Sequence, residues 1–183
     1  MTQTALILID YQRGFDIPDV WGGARNNPWA EANALALLAA WRDNDLPVVF
    51  VQHASLTVGS PLHPDGAGFG FKHGFQPSNA DMHIVKNENS AFVGTHLEVS
   101  LRRMGITDLV ICGITTEHCV STTTRMAGNL GFNVRLVGDA GHAWPKTRNG
   151  RVWDAETIHE TELAILDGEF AQVVTTADVI GTL

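Results

Sequence analysis

Four stretches of the chain are nearly continuous in Val, Ile and Leu and are bounded by polar or turn residues: Thr4 to Ile9, Leu46 to Gln52, Asp108 to Gly113 and Phe132 to Val137. A strand with one wet face alternates apolar and polar residues, whereas a strand covered on both faces does not. These stretches therefore predict parallel strands inside a sandwiched sheet. Between them, Ala and Leu recur at helical spacing over Ala30 to Asn44, and helices are also predicted over Thr95 to Met104, closed by Gly105, and over Cys119 to Leu130, closed by Gly131. A short strand around His83 to Val85, a helix over Asp154 to Leu166 and a last strand over Ala171 to Thr175 complete the alternation. The predicted fold is α/β in three layers, a doubly wound, mostly parallel sheet of about six strands with helices on both faces.

No repeat, low-complexity tract or linker interrupts the chain, and a single domain over residues 1–183 is expected. Three segments break the pattern: Arg13 to Pro28, Ala54 to Asp81, and residues 141 to 153. In an open α/β sheet, ligands bind beyond the carboxyl ends of the strands, which makes these loops candidate pocket walls. Phe15, Trp21 and Trp29 in the first loop, and Trp144 and Trp153 in the third, are the large side chains available for lining a pocket or covering the sheet edge.

Charge and composition narrow the partners. Twelve basic and twenty acidic residues give a net charge of -8, with no cationic footprint for nucleic acid or anionic lipid. The apolar run before Asp10 is short and has no basic flank, so neither a signal peptide nor a membrane span is expected, and the cytoplasm is the expected location. Cys112 and Cys119 sit seven residues apart across a strand end and a turn, and both are expected as free thiols.

Three residues combine into chemistry. Singly, each has a plainer account: Asp10 as the cap of the turn after the first strand, Lys86 as a solvated lysine, and Cys119 as a packed core thiol. Together they terminate predicted strands or open the following helix, so a parallel sheet delivers all three to one edge. A nucleophilic thiol needs a group to take its proton, a cation beside it and N–H donors for the oxyanion. Asp10 suits the first role and Lys86 the second. Placed at a helix N-terminus beside a lysine, the Cys119 thiol is expected to have a pKa well below the free value of about 8.5.

The surrounding motifs carry a resemblance. Leu6-Ile-Leu-Ile-Asp10-Tyr-Gln-Arg-Gly-Phe15, Lys86-Asn-Glu-Asn-Ser-Ala-Phe92 followed by Thr95-His-Leu, Cys112-Gly-Ile-Thr-Thr-Glu-His-Cys119-Val, Thr124-Arg-Met-Ala-Gly-Asn-Leu-Gly131 and Val137-Gly-Asp-Ala140 run through essentially the whole chain. The sequence resembles the isochorismatase-like cysteine hydrolase superfamily. Asn26-Asn-Pro, His53-Ala-Ser, Thr157-Ile-His-Glu and Leu163-Ala-Ile-Leu bring it nearest to the streptothricin-hydrolase-like, amidohydrolase group. The resemblance implies Asp10, Lys86 and Cys119 as a catalytic triad, a non-proline cis peptide at Ile114-Thr115, an oxyanion hole from the N–H groups of Thr115 and Cys119, and Phe15 as a substrate-binding aromatic. It also implies a homo-oligomer, dimer or tetramer, for which Phe69, Phe71 and Phe75 are expected to offer apolar surface.

Other features are set aside. His53, His63, Asp65, His73 and His83 lack the spacing of a zinc site, and Val51-Gln-His53 lacks the aspartate that the metal-binding nicotinamidases carry there, so no metal is expected. His118 adjoins Cys119, but neighbouring helical residues point about 100° apart, which disfavours a dyad. Gly66-Ala-Gly-Phe-Gly70 neither follows a strand nor opens a helix, and no coenzyme is expected. His159 is left between a pocket and a helix-surface role.

The reading is a cofactor-independent hydrolase of a C–N bond in a small amide, cyclic amide or carbamoyl compound. The alternatives are a C–O (vinyl ether) hydrolase of the isochorismatase type and a binding module with an idle triad.

Overall fold

The structure, a computed structural model, describes residues 4–183. The strands are β1 Thr4–Ile9, β2 Val48–His53, β3 Met82–Lys86, β4 Asp108–Gly113, β5 Asn133–Val137, β6 Lys146–Arg148, β7 Arg151–Trp153 and β8 Gln172–Val174. The helices are α1 Pro18–Trp21, α2 Ala30–Asp43, α3 Leu97–Arg103, α4 Ser121–Asn129, α5 Ala155–Leu166 and α6 Thr176–Ile180. Six strands form one sheet in the order β3-β2-β1-β4-β5-β8, every pair parallel, and β6 and β7 form a separate antiparallel hairpin.

Successive side chains of a strand face opposite ways, and the core divides accordingly. Ala5, Ile7 and Ile9 of β1 pack with Leu101 of α3, Ala127 of α4 and Leu163 of α5. Leu6 and Leu8 pack with Leu37 and Trp41 of α2 and Val179 of α6 on the other face. Both faces being covered is why the central strands read as unbroken apolar runs. The sheet is built outward from β1 to β3 in one direction and from β4 to β8 in the other, so the order switches between β1 and β4. A crevice opens there at the carboxyl ends.

Gly113 makes that crevice. A Cβ at this position would overlap the carbonyl oxygen of Ile9, so only glycine lets the end of β4 approach β1 this closely. The Ile114 N–H then donates to the Ile9 carbonyl at 3.0 Å.

Several details differ from the sequence reading. β2 extends through His53, one residue past the expected end, and sets His53 in register with Lys86. The expected helix from Cys119 begins as a π-helical turn over Thr116–Val120, and the regular helix starts at Ser121. The hairpin β6–β7 and helices α1 and α6 lie in segments read as loop or terminus. The expectation that Phe69, Phe71 and Phe75 offer apolar surface is corrected for Phe75, while Phe69 and Phe71 are half-buried. Phe75 is buried and stacks on Tyr11 with ring centroids 4.2 Å apart, while Phe71 packs edge-on against Phe50 at 5.7 Å. Stacking the Phe75 ring on Tyr11 removes more apolar area from water than a loop surface would. No described helix is long and apolar enough to cross a membrane.

Candidate active site

Asp10 follows β1 and adopts a left-handed backbone, φ 56°, which Asp tolerates better than most residues and which turns the chain out of the sheet. Lys86 is the last residue of β3, and Cys119 lies in the π-helical turn after β4. Three distant segments thus reach the same crevice. Asp10 is 0% exposed, Lys86 1% and Cys119 8%, so the thiol alone has a face toward solvent.

The Lys86 ammonium sits at the centre. Nζ donates to Asp10 Oδ2 at 2.9 Å and to Cys119 Sγ at 3.2 Å, and lies 3.1 Å from His53 Nδ1. An ammonium has three N–H bonds and no acceptor, so His53 Nδ1 is the accepting nitrogen and the ring proton resides on Nε2. Asp10, His53 and Cys119 offer ligand atoms within 4.8 Å of one another, a donor set of the kind that holds a cation. The cation among them is Lys86 itself, and a metal ion in the same place would have to displace Nζ.

Burial opposes the charge on Lys86, but Asp10 and Cys119 outweigh it and hold the ammonium above its ordinary pKa. Burial, then the charge of Lys86, push His53 down, so its ring is neutral. The expectation of a resting thiolate is corrected. Burial and the Asp10 carboxylate push the Cys119 thiol up, and the opposing pull of Lys86 is smaller. The reason is local: Cys119 lies inside a π-helical turn, and a carboxylate within 4.8 Å repels a second negative charge. Oδ1 of Asp10 is buried without a hydrogen-bond partner among the described residues, an acceptor left open beside the thiol.

The Ile114–Thr115 peptide bond is cis. Around it, Thr116 N–H donates to the His142 carbonyl at 3.0 Å, and His118 N–H and Val120 N–H both approach the Thr115 carbonyl, at 3.2 and 3.3 Å. Thr115 Oγ1 lies 3.0 Å from His118 Nδ1, and Thr116 Oγ1 lies 2.8 Å from His159 Nδ1. Asn27 Nδ2 lies 3.2 Å from the other nitrogen of His159 and donates to the Gly141 carbonyl at 2.8 Å. His159 therefore braces the turn from behind and does not line the cavity.

A cavity of about 310 Å³ opens over Cys119. Its lining combines Thr115 and Cys119 with the apolar Phe15, Trp21 and Leu62 and the polar His53, Asn89 and His118. Ser55 and Ser60, from the long loop after β2, complete it. The glycines of that loop serve packing: a Cβ on Gly68 would lie 2.7 Å from Gly14 Cα, so glycine lets the loop lie directly on the turn that carries Phe15. His63, His73 and His83 do not line the cavity, and Trp144 stands edge-on to His142 instead, with ring centroids 5.5 Å apart.

Comparison with known proteins gives the family of the chain. A family profile described as the isochorismatase domain matches residues 4–178. The chain belongs to the isochorismatase family. An uncharacterized isochorismatase family protein of Bacillus subtilis, YrdC, is 45% identical over 177 residues, covering 96% of this chain and 94% of that protein. The crystal structure of an isochorismatase-family protein from Chromobacterium violaceum superposes with a TM-score of 0.93 at 41% identity, covering 98% of this chain and 92% of that one. A ureidoacrylate amidohydrolase, RutB of Azorhizobium caulinodans, is 28% identical over 171 residues, 91% of this chain and 70% of that protein. The isochorismatase family is a family of hydrolases, and this member has a buried cysteine among the residues that line its cavity.

Asp10, Lys86, Cys119, Thr115 and Phe15 are brought together as the sequence reading grouped them. His53, Trp21, Leu62, Asn89 and His118 were not in that group. Trp21 is read from the sequence as a candidate for the pocket wall, and His53 is a polar residue at the end of a strand that pairs with the strand ending in Lys86.

Proposed function

We propose that the chain is a cysteine hydrolase that cleaves the C–N bond of a small amide, cyclic amide or carbamoyl compound through a thioester on Cys119. The observation that carries this reading is the shared ammonium, which bonds the Asp10 carboxylate and the Cys119 sulfur at once. When the thiol proton moves to Asp10, one negative charge passes from oxygen to sulfur without leaving the reach of Nζ. A thiol that rests protonated is thereby made nucleophilic at the moment of attack.

In the proposed cycle the Cys119 sulfur forms a bond to the carbonyl carbon, and the carbonyl oxygen becomes an oxyanion held by the N–H groups of Thr115 and Cys119. The C–N bond breaks as the amine takes the proton from Asp10. Water then attacks the thioester, giving one proton to Asp10 and its hydroxyl to the acyl carbon. The acid departs, and the proton returns to Sγ. The amidohydrolase RutB, similar over 91% of the chain, supports a C–N bond as the target.

Intact mass spectrometry during turnover of an amide panel is expected to show an acyl adduct confined to Cys119. Cys119→Ala is expected to lose kcat by a factor on the order of 10³ or more. Full activity in Cys119→Ala would overturn the reading.

A further inference from the structure

For a C–N hydrolase of this kind, the lining of the cavity restricts the acyl group that reaches Cys119. The space, about 310 Å³, holds about ten water-sized groups at ~30 Å³ each. Part of the lining is apolar. Phe15 and Trp21 pack on each other with centroids 4.6 Å apart and planes 30° apart, forming one broad ring surface. The only polar atom of that surface, Trp21 Nε1, is already spent on the Gly14 carbonyl at 2.9 Å. Leu62 belongs to the same part of the lining.

The polar part of the lining, which includes Ser55 and Ser60, carries no formal charge. His53 presents Nε2–H, because Nδ1 accepts from Lys86. His118 has Nδ1 engaged with Thr115 Oγ1, and burial, ahead of its charged neighbours, pushes its pKa down. Asn89 is a neutral amide whose Oδ1 faces Cys119 Sγ at 3.8 Å. No Lys, Arg, Asp or Glu is among the residues that line the cavity. Beneath the thiol, Asp10 and Lys86 cancel each other as a buried pair.

We propose that the site accepts an uncharged acyl group with a flat apolar face and rejects acyl groups that carry a carboxylate or an ammonium. A charged group entering this space would leave water for a lining without a counter-ion, which is costly, whereas a ring loses only apolar surface. The net charge of -8 adds a repulsive field for anions outside the cavity. The polar part of the lining then orients the reacting carboxamide by hydrogen bonds.

The test uses the full chain and three amides of one shape: benzamide, its para-carboxylate and its para-aminomethyl derivative. Ammonia release is measured for each, and acylation of Cys119 by para-nitrophenyl acetate is followed in parallel as a probe of the nucleophile alone. Benzamide is expected to exceed both charged analogues in kcat/KM by about 100-fold. Ser60→Lys, which sets a cation on the loop side of the cavity, is expected to raise kcat/KM for the para-carboxylate about tenfold. Acylation by the ester with no benzamide cleavage, or a charged analogue cleaved as well as benzamide, would overturn the substrate class and leave the cysteine mechanism standing. Failure of the ester to acylate Cys119 would instead remove the hydrolase reading, and this proposal with it.

Discussion

Lys86 is the most constrained side chain in the site, since its N–H donors face Asp10, His53 and Cys119 inside a dry crevice. Such a group holds a fixed amount of negative charge near itself, and Asp10 and Cys119 compete for it. Burial first, and then the Asp10 carboxylate, push the thiol up. Replacing Asp10 by Asn removes the competitor. Asp10→Asn is expected to raise the rate of Cys119 alkylation by iodoacetamide at pH 7 at least ~tenfold, one pKa unit being a factor of ten in thiolate, while turnover collapses. A slower alkylation in Asp10→Asn would show that Asp10 does not hold the thiol proton in place. Asp10 and Lys86 were legible because a charged residue ending an apolar run has no packing reason to be there, and Cys119 because it opens the helix predicted after the next strand. The thiol's protonation state was not legible, because desolvation and the distance to a carboxylate belong to the assembled site.

At the scale of elements, the end of β4 and the turn after it decide the geometry. Gly113 admits the close approach to Ile9, the cis bond follows two residues later, and the π-helical turn delivers Cys119. Gly113→Ala is expected to lower stability by about 2 kcal/mol or more, since the methyl meets backbone that has no flexible end to give way. Urea unfolding measures this, and activity is expected to fall with it. Two missed elements had local signals. Asn149-Gly150, with φ of 51° and 73°, is the turn that joins β6 and β7, and Asn-Gly favours that conformation. Thr175 and Asp178 form a capping box that starts α6. The π-helical turn had no such signal, because its extra residue is held by contacts with His142 and His159 from later in the chain.

At the scale of the whole molecule, a second buried polar group lies behind the site. His142 is 0% exposed, and both ring nitrogens lack a hydrogen-bond partner among the described residues. Burial, followed by the charge of Arg25, lowers its pKa to about 3. Below pH 6.5 the unfolded chain therefore binds a proton that the folded chain refuses, and stability declines as the pH falls from about 6.5 toward about 3, by about 1.4 kcal/mol per pH unit. Glu31, lowered to about 2, adds its own loss only below about 4.5. His142→Leu is expected to remove one proton's worth of that slope between pH 6.5 and 5, about 2 kcal/mol over the interval. An unchanged slope in unfolding titrations of the variant would show that His142 is not kept neutral by the fold.

The sequence by itself determined the parallel sheet, its helices on both faces and the three residues at its carboxyl edge. These follow from local physics: unbroken apolar runs, helical spacing, and polar residues where runs stop. Tertiary structure alone decided the rest. It brought His53, Asn89 and the 55–62 loop over the thiol, buried Phe75 against Tyr11, and combined burial with the Asp10 carboxylate to push the thiol up. Each of these depends on which distant backbone and which charge lie within a few ångströms, a quantity that no spacing along the chain contains.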